Sequence, residues 1–378
     1  MEKEYLITEK VYTTEDGASS IADMLGYFER HGAMRVSDLH IKIGCPPAYR
    51  IDGDLVKLRG QAVTPEVAKA LIFPLLSKNN IETLAQKYQV DTSYRYGSLQ
   101  FRINVFKEND GISAAIRALG VNIPLIEDIG FPNKLWQDII NRTSGLVLVT
   151  GITGAGKSTT IASLIDRISI KRACRIISLE DPIEYVFTQR KSMISQREVG
   201  RDVGSFSVGL RAMLREDPDV IFVGEMRDME TISMTLMAAE TGHLVFSTLH
   251  TRDVTGTITR VLDYFPSGRQ DEVRNQLSLG LAYVLAQKLV PRKDNSGRVV
   301  AMEILNNSYA CANLIRTGKI EQLYSQLQIR TKDNPSERMI TMEKHLARLV
   351  SDGVVNVLEA QKWANDLLCF TDEMKIAE

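Results

Sequence analysis

Eight residues, Gly151-Ile152-Thr153-Gly154-Ala155-Gly156-Lys157-Ser158, combine glycines, an amine and a hydroxyl at the spacing GxxxxGK followed by Ser. That set suits the grip of a polyphosphate. Glycines let the backbone curl until its N–H groups point inward at phosphate oxygens, and the positive end of a following helix adds to the field. Lys157 is expected to reach the β and γ phosphates, and the Ser158 hydroxyl to hold Mg²⁺. The expected nucleotide contacts are thus Gly151, Thr153, Gly154, Ala155, Gly156, Lys157, Ser158 and Thr159. The flanks agree: GLVLVT reads as a buried strand and KSTTIASLI as a helix, the context that gives this motif its meaning.

Hydrolysis needs more than a cradle, because a water must be aligned and developing charge neutralised. SLEDPIEYV places Glu180, Asp181 and Glu184 just past one apolar strand, and VIFVGEMRD places Glu225 and Asp228 past another. In a parallel sheet the ends of neighbouring strands converge on the phosphate site. A carboxylate there is placed to bind Mg²⁺ through water or to polarise the attacking water. ETGHLVFSTLH sets His243 and His250 at either end of a third strand. Their spacing of seven does not match a helical HxxxH zinc pair, whereas a histidine beside the γ phosphate senses its presence. Cys45, Cys174, Cys311 and Cys369 form no CxxC pair, so they read as reduced thiols rather than a zinc or redox site.

The elements that must position these groups fall into two parts. With 378 residues, 44% hydrophobic and 25% charged, the chain has the composition of a globular protein with two or three cores. Its 46 basic and 47 acidic residues supply no global attraction to nucleic acid. Residues 1–18 read as a polar extension without a signal peptide's apolar core, and no apolar run approaches the roughly 18 residues of a membrane span. Residues 19–119 then carry mixed patterns. SIADMLGYFERHGA is helical, AYRIDGDLVKL is two strands turning at Asp52-Gly53, and TPEVAKALIFPLL opens with Thr64 as cap and Pro65 at the first helical position. SLQFRINVFKEN and GISAAIRAL return to strands. Residues 120–134 suit a linker. From 135 to 265 apolar strands alternate with helices, the pattern of a parallel sheet covered on both faces. Beyond 265 amphipathic helices are expected to dominate, beginning with DEVRNQLSLGLAYVLAQKL.

Together these segments resemble the secretion ATPase superfamily of ring-forming hexamers, most closely the PilT/PilU twitching-motility ATPases of type IV pili. ISLEDPIEY matches the family's Asp box, LREDPDVIFVGEMRD its Walker B segment and ETGHLVFSTLH its His box. QREVGRD and RVLDYFP are further matches, and the likeness runs from SDLHIKIG to about residue 360. The resemblance implies an α/β fold: a PAS-like α+β N-terminal domain, then a RecA-like P-loop ATPase domain with a helical C-terminal subdomain. It implies that Glu184 activates the hydrolytic water, that Glu225 is the Walker B acid acting around Mg²⁺, and that His243 and His250 are the His-box residues. It also implies that Arg102 in QFRINVF and Arg117 in AAIRAL close over the γ phosphate, a task suited to groups that stay charged and grip oxygens bidentately. ATP with Mg²⁺ is the implied fuel. The implied partners are five further copies in a homo-hexamer, an inner-membrane pilus platform protein and a paralogous retraction ATPase. No nucleic acid and no direct membrane insertion are expected, and the implied place is the cytoplasmic face of the inner membrane.

Departures from the family pattern are local. Ile152 and Ala155 stand where proline and serine are usual, and in ACANLI Ala312 replaces the Arg of AIRNLI. LSLGLAYVLAQKLVP and WANDLL look closer to the PilU-like branch, LREDPD and GEMRD to the PilT-like branch. An ATPase of a type IV or type II secretion system is the alternative reading, although the larger N-terminal region and paired CxxC of assembly ATPases are missing. A P-loop kinase would need an acceptor pocket and an arginine-rich lid, and a GTPase an NKxD, neither of which the sequence offers.

Overall fold

The computed structural model describes residues 5–15, 17–31, 35–51, 54–97, 99–119, 123–294, 297–329 and 339–377. Its contacts divide the chain into two compact units. The first holds Met1–Asn122 together with two loops from later in the sequence, Glu180–Val186 and Arg197–Ser205; the second holds the remainder.

In the first unit the order is β1 (Tyr12–Thr14), β2 (Gly17–Ser19), α1 (Ile21–His31), β3 (Val36–Ile41), β4 (Ala48–Ile51), β5 (Asp54–Lys57), α2 (Pro65–Ile72), α3 (Lys78–Lys87), β6 (Gln89–Tyr96), β7 (Leu99–Glu108) and β8 (Gly111–Leu119). Six strands form an antiparallel sheet in the order β5-β4-β3-β8-β7-β6. Strand side chains alternate between faces, and Phe101, Ile103 and Val105 of β7 join Leu39, Ile116 and Phe28 in one core. The intervening Arg102 and, on β8, Arg117 therefore belong to the opposite face. Thr64 caps α2 as expected, accepting from the Val67 N–H at 3.3 Å with Pro65 in the first turn. The expected turn at Asp52-Gly53 lies outside the described residues, while β4 and β5 on either side of it pair as expected. The expected polar extension is corrected from residue 12 onward. There β1 pairs with β2, and Tyr12 is buried with its hydroxyl donating to the Gln61 carbonyl at 2.9 Å.

The second unit runs α4 (Leu135–Asn141), β9 (Gly145–Thr150), α5 (Lys157–Lys171), β10 (Arg175–Glu180), β11 (Met193–Glu198), α6 (Phe206–Met213), β12 (Val220–Val223), α7 (Met229–Glu240), β13 (Leu244–Leu249), α8 (Val254–Asp263), α9 (Gln270–Gly280), β14 (Leu281–Pro291) and β15 (Arg298–Asn306). It closes with α10 (Tyr309–Arg316), α11 (Leu323–Gln328), α12 (Met342–Ser351), α13 (Val357–Trp363) and α14 (Leu367–Ala377). Its seven-stranded sheet has the order β11-β10-β12-β13-β9-β14-β15. β10, β12, β13, β9 and β14 run parallel, each to the next, and β15 returns antiparallel to β14. All six residues of β9 and of β13 are buried, as a sheet covered on both faces requires.

Two expectations change here. LAYVLAQKLVP is strand, not helix: α9 stops at Gly280, and β14 pairs with β9, so the helical region begins only after β15. The segment expected as a linker is docked from residue 123, with Ile126 buried and the Pro124 carbonyl accepting from Ser163 of α5 at 2.8 Å. Among the described residues no helix is long and apolar enough to cross a membrane.

Candidate functional site

The phosphate loop joins the C-terminal end of β9 to α5. Gly151, Gly154 and Gly156 have φ of 150°, 78° and 84°, values that side-chain-bearing residues rarely adopt. At Gly151 space is equally decisive, since a Cβ would lie 2.5 Å from the Gln287 carbonyl oxygen and 2.8 Å from the Ala155 Cβ. Gly156 caps α5 with no side-chain hydrogen bond, and the first turn of a helix begun in this way is the place where backbone N–H groups and the helix dipole favour an anion. Lys157 is buried at 8% exposure. Its ammonium donates to the carbonyls of Gly151 at 2.9 Å and Ile152 at 3.2 Å. N–H groups, an ammonium and a hydroxyl around a loop with open space over Gly154 form a donor set that fits a polyphosphate.

Two neighbouring strand ends converge on this loop. β13 pairs with β9 and β12 with β13, so the residues after β13 and β12 arrive beside it. His250 follows β13: its Nδ1 lies 3.5 Å from the Lys157 ammonium and its Nε2 3.4 Å from Glu225 Oε1. An ammonium only donates, so in the first contact Nδ1 is the accepting side, and Nε2 is the nitrogen that faces Glu225. The second Glu225 oxygen pairs with Arg227 at 2.9 Å. The loop carrying Glu225 is itself pinned to β13, with Thr248 Oγ1 donating to the Gly224 carbonyl at 2.7 Å and the Met226 N–H to the Thr248 carbonyl at 3.3 Å. Lys157, His250, Glu225 and Arg227 thus form one continuous chain of polar contacts.

His243 is not part of it. It precedes β13, at the other end of a six-residue strand, and its Nδ1 meets the Ala238 carbonyl at 2.9 Å and Thr241 Oγ1 at 3.3 Å. The two histidines thus stand at opposite ends of β13, as the sequence has them, and His243 finds its partners at the C-terminal end of α7.

Gln287 is the residue that sequence reasoning missed. On β14, Ala286 lies opposite Thr150, which sets the next residue under the phosphate loop. Its fully buried amide donates to the Ala155 carbonyl at 2.6 Å and accepts from Thr160 Oγ1 at 3.0 Å. One side chain clamps the loop to the helix that follows it. No local pattern announces this role, because it depends on where β14 enters the sheet.

The remaining expected residues lie in the first unit. Ser93, Arg102, Arg117, Asp38 and Arg50 face one another across β6, β7, β8, β3 and β4 as a single cross-strand row. Arg102 and Arg117 are direct neighbours in it. Arg117 Nε donates to Asp38 Oδ1 at 2.7 Å, yet its side chain stays 66% exposed. Burial works to raise the Asp38 pKa, and the hydrogen bonds from Ser37 and Arg117 outweigh it, holding the carboxyl below its ordinary value. Glu184 sits in the loop Glu180–Val186, which belongs to this arginine-bearing unit and not to the unit of the phosphate loop. Among the described residues no group of three or more His, Cys, Asp or Glu is gathered to hold a metal ion.

The sequence profile described as type II/IV secretion system protein matches residues 33–361. A type IV pilus retraction ATPase, PilT of Pseudomonas aeruginosa, is 39% identical over 91% of this chain and 98% of its own. PilU of the same organism, a type IV pilus ATPase, is 32% identical over 88% of this chain and 86% of its own. A crystal structure of the pilus retraction motor PilT with bound ADP superimposes with a TM-score of 0.81 at 42% identity, covering 92% of this chain and 97% of that one.

Proposed function

This chain belongs to the type II/IV secretion system protein family, and on that premise we propose that it is an ATP-hydrolysing motor that powers type IV pilus retraction. The likeness to a pilus retraction ATPase extends over nearly the whole of both chains. The observation that carries the ATPase chemistry is the convergence of Lys157, His250 and Glu225 on adjacent strand ends beside the phosphate loop.

ATP binds with its phosphates in the loop Gly151–Ser158, against the first-turn N–H groups of α5. The Lys157 ammonium exchanges the Gly151 and Ile152 carbonyls for phosphate oxygens. His250, which faces that ammonium, registers the exchange and passes it to Glu225. Ser158 and Glu225 offer the hard oxygen donors that suit Mg²⁺, which supplies charge neutralisation on the phosphates. Glu184 aligns and deprotonates the attacking water, while Arg102 and Arg117 take up charge developing on the γ phosphate.

These groups are divided between the two units, so the cycle is mechanical. Binding needs the phosphate-loop unit; turnover needs the arginine-bearing unit brought onto the bound nucleotide, and product release frees it. Six copies closing in turn around a ring withdraw pilin through an inner-membrane platform protein, with a paralogous ATPase as a further partner. Contact with the membrane runs through those partners. The test has two arms. Purified protein given Mg·ATP and no acceptor should release phosphate continuously, and a deletion strain should carry excess surface pili without twitching. Normal twitching in the deletion strain would refute retraction, and no phosphate release from assembled protein would refute the motor.

A further inference from the structure

The loop that carries Glu184 is held by a buried carboxylate to which no role has yet been given. Glu198, at the end of β11, is 2% exposed. Its Oε1 accepts from the Ser93 N–H at 3.2 Å; its Oε2 accepts from the Ser93 hydroxyl and from the Ile183 N–H at 3.2 Å. Arg201 Nη1 stands 3.8 Å from the same oxygen and donates to Ser93 Oγ at 3.3 Å. The turn behind it is braced. Asp202 accepts from the Glu198 N–H at 2.8 Å and from both Nε and Nη2 of Arg201, at 3.1 and 2.9 Å, and Asn79 of α3 donates to the Gly200 carbonyl at 3.0 Å. The Val199 N–H returns to the Glu180 carbonyl at 2.9 Å.

Burying a carboxyl group among polar partners is costly, and apolar replacements often serve stability as well or better. Its placement is therefore the informative part. One partner, Ile183, immediately precedes Glu184. The other, Ser93, lies directly opposite Arg102, which lies directly opposite Arg117. We infer that Glu198 is a positioning residue for hydrolysis: by bonding Ile183 and Ser93 at once, it fixes the loop bearing Glu184 to the strand beside the two arginines. The water-activating carboxylate and the charge-neutralising arginines then move as one body, so closure delivers both together or neither. This rests on the reading of Glu184 given above.

The test uses the full chain, with phosphate release for kcat and KM and a fluorescent non-hydrolysable ATP analogue for affinity. Glu198→Ala frees the loop and should lower kcat roughly 30- to 100-fold while the analogue affinity changes less than about 3-fold, since misplacement of a catalytic group costs rate rather than binding. In a Glu184→Gln background the same substitution should lower the residual rate less than about 2-fold, because residues acting through one another are not additive. Should Glu198→Ala fail to fold, Ser93→Ala, which deletes the hydroxyl and keeps the N–H, should still lower kcat by roughly 3- to 5-fold at unchanged affinity. A kcat within about 3-fold of wild type in Glu198→Ala, or a full multiplicative loss in the double variant, overturns the positioning role and leaves Glu184 untouched. Wild-type turnover in Glu184→Gln alone overturns both.

Discussion

The phosphate loop and the arginine face treat their cations in opposite ways. Lys157 is buried and already bonded to two carbonyls of its own loop, and the loop is clamped from below by Gln287. Arg117 leaves two-thirds of its side chain in solvent while pairing with Asp38. A preformed, buried receptor binds without much rearrangement; exposed guanidinium groups gain most when an anion is brought to them and water is expelled. Under the proposed function the contrast corresponds to binding in one unit and turnover in the other, and it can be broken by any substitution whose effect falls on the wrong side.

The largest effect belongs to Glu184→Gln. Losing the base should reduce turnover about 1,000-fold, within the usual range for general-base catalysis, with ATP affinity nearly unchanged. Turnover near wild type would remove Glu184 from the chemistry. Next come Arg102→Ala and Arg117→Ala, each expected to lower kcat about 100-fold and nucleotide affinity less than about 5-fold. Two variants that bind poorly and turn over normally once saturated would place the arginines on the binding side and dissolve the contrast.

A third prediction addresses the stability of the phosphate-loop unit alone. Glu303, on β15, is fully buried and its pKa is pushed up to about 7, first by burial and then by Glu343 and Asp253, against the Val254 N–H that donates to it at 2.8 Å. The folded state keeps this proton at a pH where the unfolded chain has lost it. The stabilisation it gives is complete below about pH 4.5 and fades as pH rises through 7. His345, pushed down to about 4 by burial, has the opposite slope: its contribution is complete above about pH 6.5 and fades as pH falls through 4. Between those limits the two largely offset. Glu303→Gln removes one side of the balance, so relative to wild type the variant should gain on the order of 2 kcal/mol between pH 5 and pH 8. Urea midpoints at the two pH values measure it, and parallel shifts would show that Glu303 carries no excess proton.

Legibility in the sequence followed the range of the interactions involved. The phosphate loop, the cap at Thr64 and the strand-helix alternation through β13 were readable, since each is decided within a few residues. LAYVLAQKLVP was not, because its first seven residues are all buried, and such a run has no period that separates a strand from a buried helix. β14 is assigned only by its pairing with β9. Gln287 followed it out of sight, as did Glu198, whose partners Ser93 and Ile183 lie 105 and 15 residues away. That His243 and His250 stand at either end of β13 was legible from the strand between them; that only His250 meets Lys157 and Glu225 was not, because those partners come from other strand ends.

The smallest effect is expected where the clamp under the phosphate loop is loosened by one hydrogen bond. Thr160 is fully buried and its hydroxyl donates to Gln287 Oε1 at 3.0 Å. Thr160→Val keeps the shape and leaves that oxygen without its donor, while the bond from Gln287 to the Ala155 carbonyl survives. The loss should be about 1 kcal/mol of stability, one buried hydrogen bond's worth. Because the clamp acts on the loop and not on the reacting groups, ATP affinity should fall by about 2- to 5-fold with kcat at saturation unchanged, the reverse of the arginine signature. Equilibrium binding of a fluorescent ATP analogue and saturating phosphate-release assays decide it. A Thr160→Val enzyme with wild-type affinity and reduced kcat would mean that the phosphate-loop unit also sets the rate, and that the division between a binding unit and a turnover unit is drawn in the wrong place.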